Sequence, residues 1–274
     1  MKYTEYKEKL LHNLVERAKQ ITPDLKPGNW SRTGESKDHI LPIIGNNTIT
    51  NKINAIKRYL KFDVPITKGL HQYAHHLNSS QLLCLMFFTP LIEDHKKGGE
   101  SLVKFIYDAF GITISQNAKC DFEYTQKYEP YIFMVDGKSE YEGTSFDFYI
   151  KDGEVEVFFE IKLSEQGFGK ADCDSKHCQK AEQYIKLLPE NMSISTNDLL
   201  SQYQIIRNVI RATAPNKYVV FITDESNPAT NGEIHNIPLS SNVIHKTWQN
   251  IRKYYPLKVP FQIESIWDED TSSI

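Results

Sequence analysis

The sequence predicts a fold of the α/β or α+β class, and three observations carry that expectation. From residue 100 onward the apolar pattern runs helix, three strand-like segments, helix, strand. The dipeptide Asp152-Gly153 sits between two alternating runs, a strong β-hairpin signal because glycine accepts a positive φ without steric cost. Ahead of residue 98 the periodicity is helical, interrupted by loop-like stretches. With 274 residues, 40% hydrophobic and 12% aromatic, the chain can bury a full core, which excludes wholesale disorder.

Residues 3–20 have Leu10, Leu11, Leu14, Val15 and Ala18 at helical spacing. Residues 22–51 are rich in Pro, Gly, Asn and Ser, have no period, and are expected to be loop. Helical patterns resume over 52–62 and 79–88; Ser79 or Ser80 can cap the second, and Pro90 is expected to stop or kink it. A helix over 100–110 is closed by Gly111. Strands follow at 119–128, 144–151 and 154–164, then a helix at 196–212, a short buried strand at 218–223, and a late helix at 240–254. This divides the chain into a mostly helical N-terminal region (1–97), a core (98–225) and a C-terminal extension packed on the core (226–274).

No apolar run is long enough to span a bilayer, and charges occupy the N-terminus where a signal peptide needs an apolar stretch. A cytoplasmic protein is expected. Four cysteines in a chain of this length do not make a disulfide framework. Cys173, His177 and Cys178 lack the paired spacing of a structural zinc site, so reduced bystander thiols are the expectation. The net charge is −3, but residues 1–78 carry thirteen Lys/Arg against seven Asp/Glu, and the remainder nineteen against twenty-eight. Such a division suits an enzyme gripping phosphates at one end and cations at the other; an uneven solvated surface explains it equally.

The chemistry is concentrated in residues 145–162. With Asp152-Gly153 as the turn, Ile150 faces Val155, Phe148 faces Val157 and Phe146 faces Phe159, so the even-numbered face of the first strand is core. On the other face Asp147 sits across from Phe158 with Glu160 as its diagonal neighbour, about 5–8 Å away at Cβ. Lys162, two residues on from Glu160, points the same way. Two like charges on one sheet face repel, and a divalent cation removes that cost. Mg²⁺ takes carboxylate and water oxygens and leaves positions for a phosphate. Glu154 and Glu156, on the same polar face, are expected to be solvated.

Asp147 followed by Glu160-Ile161-Lys162 on an apolar strand resembles the PD-(D/E)xK nuclease superfamily. More narrowly the chain resembles a bacterial group of restriction-endonuclease-like proteins, through Ser79-Ser80-Gln81 with Pro90-Leu91, the run from Glu160 to Gly169, and the run from Tyr203 to Asn208. One departure is that Ser145-Phe146, with no proline, precedes Asp147. The resemblance implies an α/β, restriction-endonuclease-like core, a mixed β-sheet flanked by helices, with a helical N-terminal extension that clasps DNA. It implies an endonuclease hydrolysing DNA phosphodiesters, leaving 5′-phosphates, in restriction or defence. Asp147 and Glu160 would hold Mg²⁺ (Mn²⁺ able to substitute) with the main-chain carbonyl of Ile161. Lys162 would orient or deprotonate the attacking water. Glu100 is either a further carboxylate at the metal or an acid serving its helix dipole. Gln204 is expected to approach the active centre, and Arg207 and Arg211 either contact DNA phosphates or form a solvated stripe. Cutting both strands would call for a homodimer.

Other residues have plainer readings. Glu165 and the pair Gly167/Gly169 either bring backbone close to DNA or turn the chain. His71, His75 and His76 lie on an expected helix as surface or core residues, and Trp30, Trp248 and Trp267 are expected to be packing residues rather than base-stacking platforms. The rival functions are a catalytically silent DNA-binding module and a metal hydrolase of small phosphoesters.

Overall fold

The architecture expected of a restriction-endonuclease-like core is the one observed: an α/β fold with a five-stranded mixed sheet, helices on both faces and a helical N-terminal extension. The structure is a computed structural model describing residues 1–258 apart from 64, 66–69, 126–130, 143, 189–193, 213 and 236–240. Helix α1 (Tyr3–Ile21) buries Tyr6, Leu10, Leu14 and Ala18, one stripe at a spacing of four. Within the expected loop lies a small hairpin of β1 (Gly28–Asn29) and β2 (Ser36–Lys37), and α2 (Ile49–Leu60) follows with Thr48 capping it.

Helix α3 (Ser80–Lys96) starts as expected, the Ser79 hydroxyl accepting the Leu82 N–H at 3.4 Å, but it does not stop at Pro90. A helix-interior proline costs about 3 kcal/mol. Leu91 and Ile92 beyond it bury in the same core as Leu82 to Phe88, and fully burying one such side chain returns about 1.5–3 kcal/mol. Helix α4 (Ser101–Phe110) ends at Gly111, and its first N–H is accepted by the Asp94 carboxylate.

The sheet contains β3 (Lys119–Thr125), β6 (Ser145–Asp152) and β7 (Val155–Ile161), all antiparallel, with a separate hairpin of β4 (Tyr131–Val135) and β5 (Lys138–Glu142) between β3 and β6 in the chain. After β7 come α5 (Ser175–Ile185), α6 (Thr196–Ser201) and α7 (Tyr203–Val209), then β8 (Lys217–Thr223) parallel to β7. The single helix expected over 196–212 is therefore broken at Gln202 and ends in a 3-10 turn, Ile210–Ala212. Helix α8 (Pro228–His235) precedes β9 (Val243–Thr247), the fifth strand, and α9 (Trp248–Ile251). The late helix expected over 240–254 is corrected to a strand followed by a single helical turn. Val243 pairs with the inner strand β8, and sheet pairing outweighed the local pattern. Residues 126–128 of the first expected strand, residue 240 and Trp267 lie outside the described residues.

The hairpin register differs from the expectation by two. Phe148 pairs with Phe159, Ile150 with Val157 and Asp152 with Val155, so Gly153-Glu154 is the turn. Gly153 has φ 58 and Glu154 is not among the positive-φ residues, the pattern of a turn needing a left-handed residue only at its first central position. Asp152-Gly153 would require Asp152 to adopt positive φ as well. Asp152 instead accepts hydrogen bonds from the N–H and hydroxyl of Ser115. A shift of two keeps each side chain on its face.

Both faces of the sheet are buried, not one. Phe148, Ile150, Val157, Phe159 and Ile161 pack with α1 to α4 and Trp248, while Tyr149, Phe158, Val219 and Phe221 pack with α5 to α7. Phe146, expected on the first face, joins the second core. The β3–β6 ladder skips Glu123 and Asp147 at this point, and Glu123 has φ 51. Glu156, expected in solvent, is also inside: it accepts the Tyr149 hydroxyl and pairs with Lys217 at 2.9 Å. Burial pushes its carboxyl up, and these two partners bring it down to below the usual range. Among the described residues no helix is long and apolar enough to cross a membrane.

Candidate active site

The corrected register draws the acidic pair closer than the sequence suggested. Continuing it one residue past Phe148–Phe159 puts Asp147 directly beside Glu160 instead of diagonal to it. There Asp147 Oδ2 accepts the Ile161 N–H at 2.7 Å, so a side chain replaces the main-chain ladder where the strands part. Glu160 is 3% exposed and Lys162 Nζ lies 2.7 Å from its Oε1. Asp147, Glu160 and Lys162 converge as predicted.

Helix α7 holds Glu160 from the other side. Gln204 Nε2 donates to Oε1 at 2.8 Å and Asn208 Nδ2 to Oε2 at 3.0 Å, two residues four apart on one helical face. Gln204 is itself fixed by Gly169, which donates its N–H to Oε1 and accepts the Gln204 N–H. Asn208 escaped the sequence reading; its place four residues after Gln204 is the signal that marks it. Asn227, fully buried, pins the segment after β7 by donating to the carbonyls of Leu163 and Glu165, and no local pattern announces it.

Electrostatics follow from burial. The Asp147 carboxyl is pushed well above its usual range, by desolvation first and the Glu160 charge second. Glu123 rises to about 7, chiefly through burial, with Glu160 adding to it. Burial alone would lower Lys162, but Glu160, Glu165 and Asp147 outweigh it and hold the ammonium above its usual range. Lys162 is therefore a fixed cation here, suited to orienting and charge stabilisation rather than to taking a proton.

These groups form the floor of a cleft of about 620 Å³. Glu123 and Glu165 line it and Glu100 does not, so the further carboxylates come from β3 and from the segment after β7. Glu100 stands just ahead of α4, the position of its helix-dipole reading. Arg207 and Arg211 do not line the cleft. Arg207 lies half-buried with its guanidinium 6.0 Å from the Tyr203 ring, and Arg211 is 4% exposed because the 3-10 turn carries it inward beside Ile210. Among the described residues no three His, Cys, Asp or Glu side chains are placed to hold an ion unaided. The Cys173 and Cys178 sulfurs lie 2.8 Å apart as free thiols.

The cleft wall comes from residues 28–41 and 70–81, where Trp30, Tyr73 and His76 line the cleft. His71, His75 and His76 lie in turns and an isolated bridge, not on the expected helix, because the segment pairs across to Ile40. Burial, ahead of neighbouring charges, holds His75 down to about 4 and His76 to about 3. Both are neutral in the fold, whereas the unfolded chain takes up protons near pH 6.5. Stability is therefore lost as pH falls from about 6.5 toward 4. Thermal unfolding across that window should show a steep decline that His76→Gln flattens; an unchanged slope would mean the imidazole is solvated.

No curated protein and no solved structure matches the chain. Residues 11–260 match the family described as Restriction Endonuclease associating with ARP. That span takes in the whole cleft, wall and floor alike, and the chain belongs to this restriction-endonuclease family.

Proposed function

We propose that the chain is a metal-dependent endodeoxyribonuclease of the PD-(D/E)xK kind, hydrolysing DNA phosphodiester bonds in restriction or defence. The observation that carries this reading is the convergence of half-buried Asp147 and buried Glu160 with the half-buried Lys162 ammonium, at the start of β6 and the end of β7. The cleft floor has Asp147, Glu160, Glu123 and Glu165 against one lysine, so an unaided phosphate would be repelled.

The residues fit Mg²⁺. Asp147 is a carboxyl whose ionisation is opposed by burial and by Glu160, and a divalent cation favours ionisation of both. Mg²⁺ commonly uses one or two carboxylates and keeps several of its waters. Asp147 and Glu160 would hold it, with the Ile161 carbonyl. When bound, Mg²⁺ would act as a Lewis acid and lower the pKa of a coordinated water, and Mn²⁺ could take its place. The protein's own groups do the positioning. Gln204 and Asn208 fix the Glu160 carboxylate, and Lys162 offsets charge building on the phosphate. The basic N-terminal region would contact DNA backbone.

The test is incubation of plasmid DNA with the full chain in Mg²⁺, in Mn²⁺ and in chelator. Nicking or linearisation should require the metal and disappear in Lys162→Met. Binding without cleavage under every metal would overturn the enzyme reading in favour of a silent DNA-binding module.

A further inference from the structure

In the same cleft as the carboxylates, residues 30–32 and 71–76 supply a wall made of rings and one guanidinium. Trp30 and Tyr73 are half-buried there and His71 is exposed. His76 lies at their centre, its ring 6.2 Å from Trp30 at 70° and 5.1 Å from Tyr73 at 52°. The Arg32 guanidinium sits 5.8 Å from the Tyr73 ring, adding a planar cation to the same surface.

This wall is built into the fold. Ile40 bridges His76, Leu41 donates its N–H to the His75 carbonyl at 3.0 Å, and Leu77 donates to His39 at 2.8 Å. Gly28 approaches the same segment so closely that a Cβ there would lie 2.8 Å from Ile40 and from the Leu41 carbonyl oxygen. Asn78 then ties the wall to the floor, donating to the Ser164 hydroxyl at 2.8 Å and accepting from it at 2.9 Å. The imidazoles of His75 and His76, held neutral by burial, offer no phosphate anchor.

We propose that the Trp30–Tyr73–His76 wall is a nucleobase subsite: it takes one unpaired or extruded base of a DNA strand and sets the adjoining phosphate over Asp147 and Glu160. In a perfect duplex both faces of each base are covered by its neighbours, so a ring-lined cleft has nothing to stack against. An unpaired base exposes its π-faces, and stacking on aromatic side chains serves any base sequence. Only the identity of the polymer and the role of the floor rest on the nuclease reading; the wall geometry does not.

The test is fluorescence anisotropy of the full chain in chelator, where no strand is cut, with three labelled probes: a single strand, its perfect duplex, and that duplex carrying one unpaired base. The single strand and the interrupted duplex should bind about tenfold tighter than the perfect duplex. Trp30→Ala and Tyr73→Leu should each remove about that factor for the unpaired probes and leave the perfect duplex unchanged, while Trp30→Phe restores binding. Unfolding midpoints for each variant separate loss of the ring from loss of the wall. Equal or tighter binding of the perfect duplex, or no response to the ring substitutions in folded variants, overturns the subsite. Cleavage with Mg²⁺ is scored separately: plasmid cutting with no ring dependence refutes the subsite alone, and ring-dependent binding without cutting refutes the nuclease reading alone.

Discussion

Asp147→Asn should abolish DNA cleavage while making the protein more stable. The loss should be about a thousandfold, because on the proposed mechanism the substitution would remove one of the two carboxylates serving the scissile phosphate. The gain follows from the sign of the electrostatics. Burial first and Glu160 second push the Asp147 carboxyl above its unfolded value, so its ionised form opposes folding once pH exceeds about 4. An asparagine oxygen can still accept the Ile161 N–H that Oδ2 accepts now at 2.7 Å, so the backbone contact is retained. Removing a strained functional charge of this kind commonly yields about 0.5–2 kcal/mol. Wild-type stability should also rise on adding Mg²⁺, and that of Asp147→Asn much less, since an ion bound only to the folded state stabilises it by mass action. Paired cleavage assays and thermal unfolding curves check both halves. An active variant, or one whose midpoint falls, would show that the pair is structural.

Phe88→Ala should be the most destabilising single substitution near the site, at about 3–5 kcal/mol. Phe88 is fully buried on α3, its ring stacked 4.3 Å from Phe148 and tilted against Phe159 at 5.5 Å. Those two phenylalanines are paired across β6 and β7 and adjoin Asp147 and Glu160 in the chain. A cavity under them would loosen the spacing of the carboxylates, and a misplacement of about 1 Å can cost about a hundredfold in rate. Denaturant midpoints would register the first effect. Cleavage well below the unfolding transition would register the second. A loss under 1 kcal/mol would mean the core collapses around the gap and that α3 does not set the strand geometry.

How much of the site was legible depends on the range of the interactions that built it. Residues 145–162 declare a hairpin by alternation, and alternation alone sends Asp147, Glu160 and Lys162 to one side. The two-residue register error left that result intact because sheet faces have period two. Gln204 was reachable only through its surrounding motif. Glu123 was missed in favour of Glu100 because its approach depends on β3 lying beside β6 and on a left-handed residue within β3. The solvent expected around Glu156 is replaced by Tyr149 and Lys217, and Lys217 comes from a strand sixty residues further along the chain.

By itself, then, the sequence determined the local objects: an amphipathic first helix, a capped α3, a hairpin with an acidic end, and the lysine two residues beyond the second acid. These follow from side-chain periodicity and turn chemistry, which act over a few residues. The tertiary structure alone decided that both sheet faces are covered, that α3 continues past Pro90, that residues 243–247 form an edge strand, and that Trp30 and Tyr73 line one cleft with the acids. Each of these depends on burial and pairing between segments far apart in the chain, which carry no signature within any one of them.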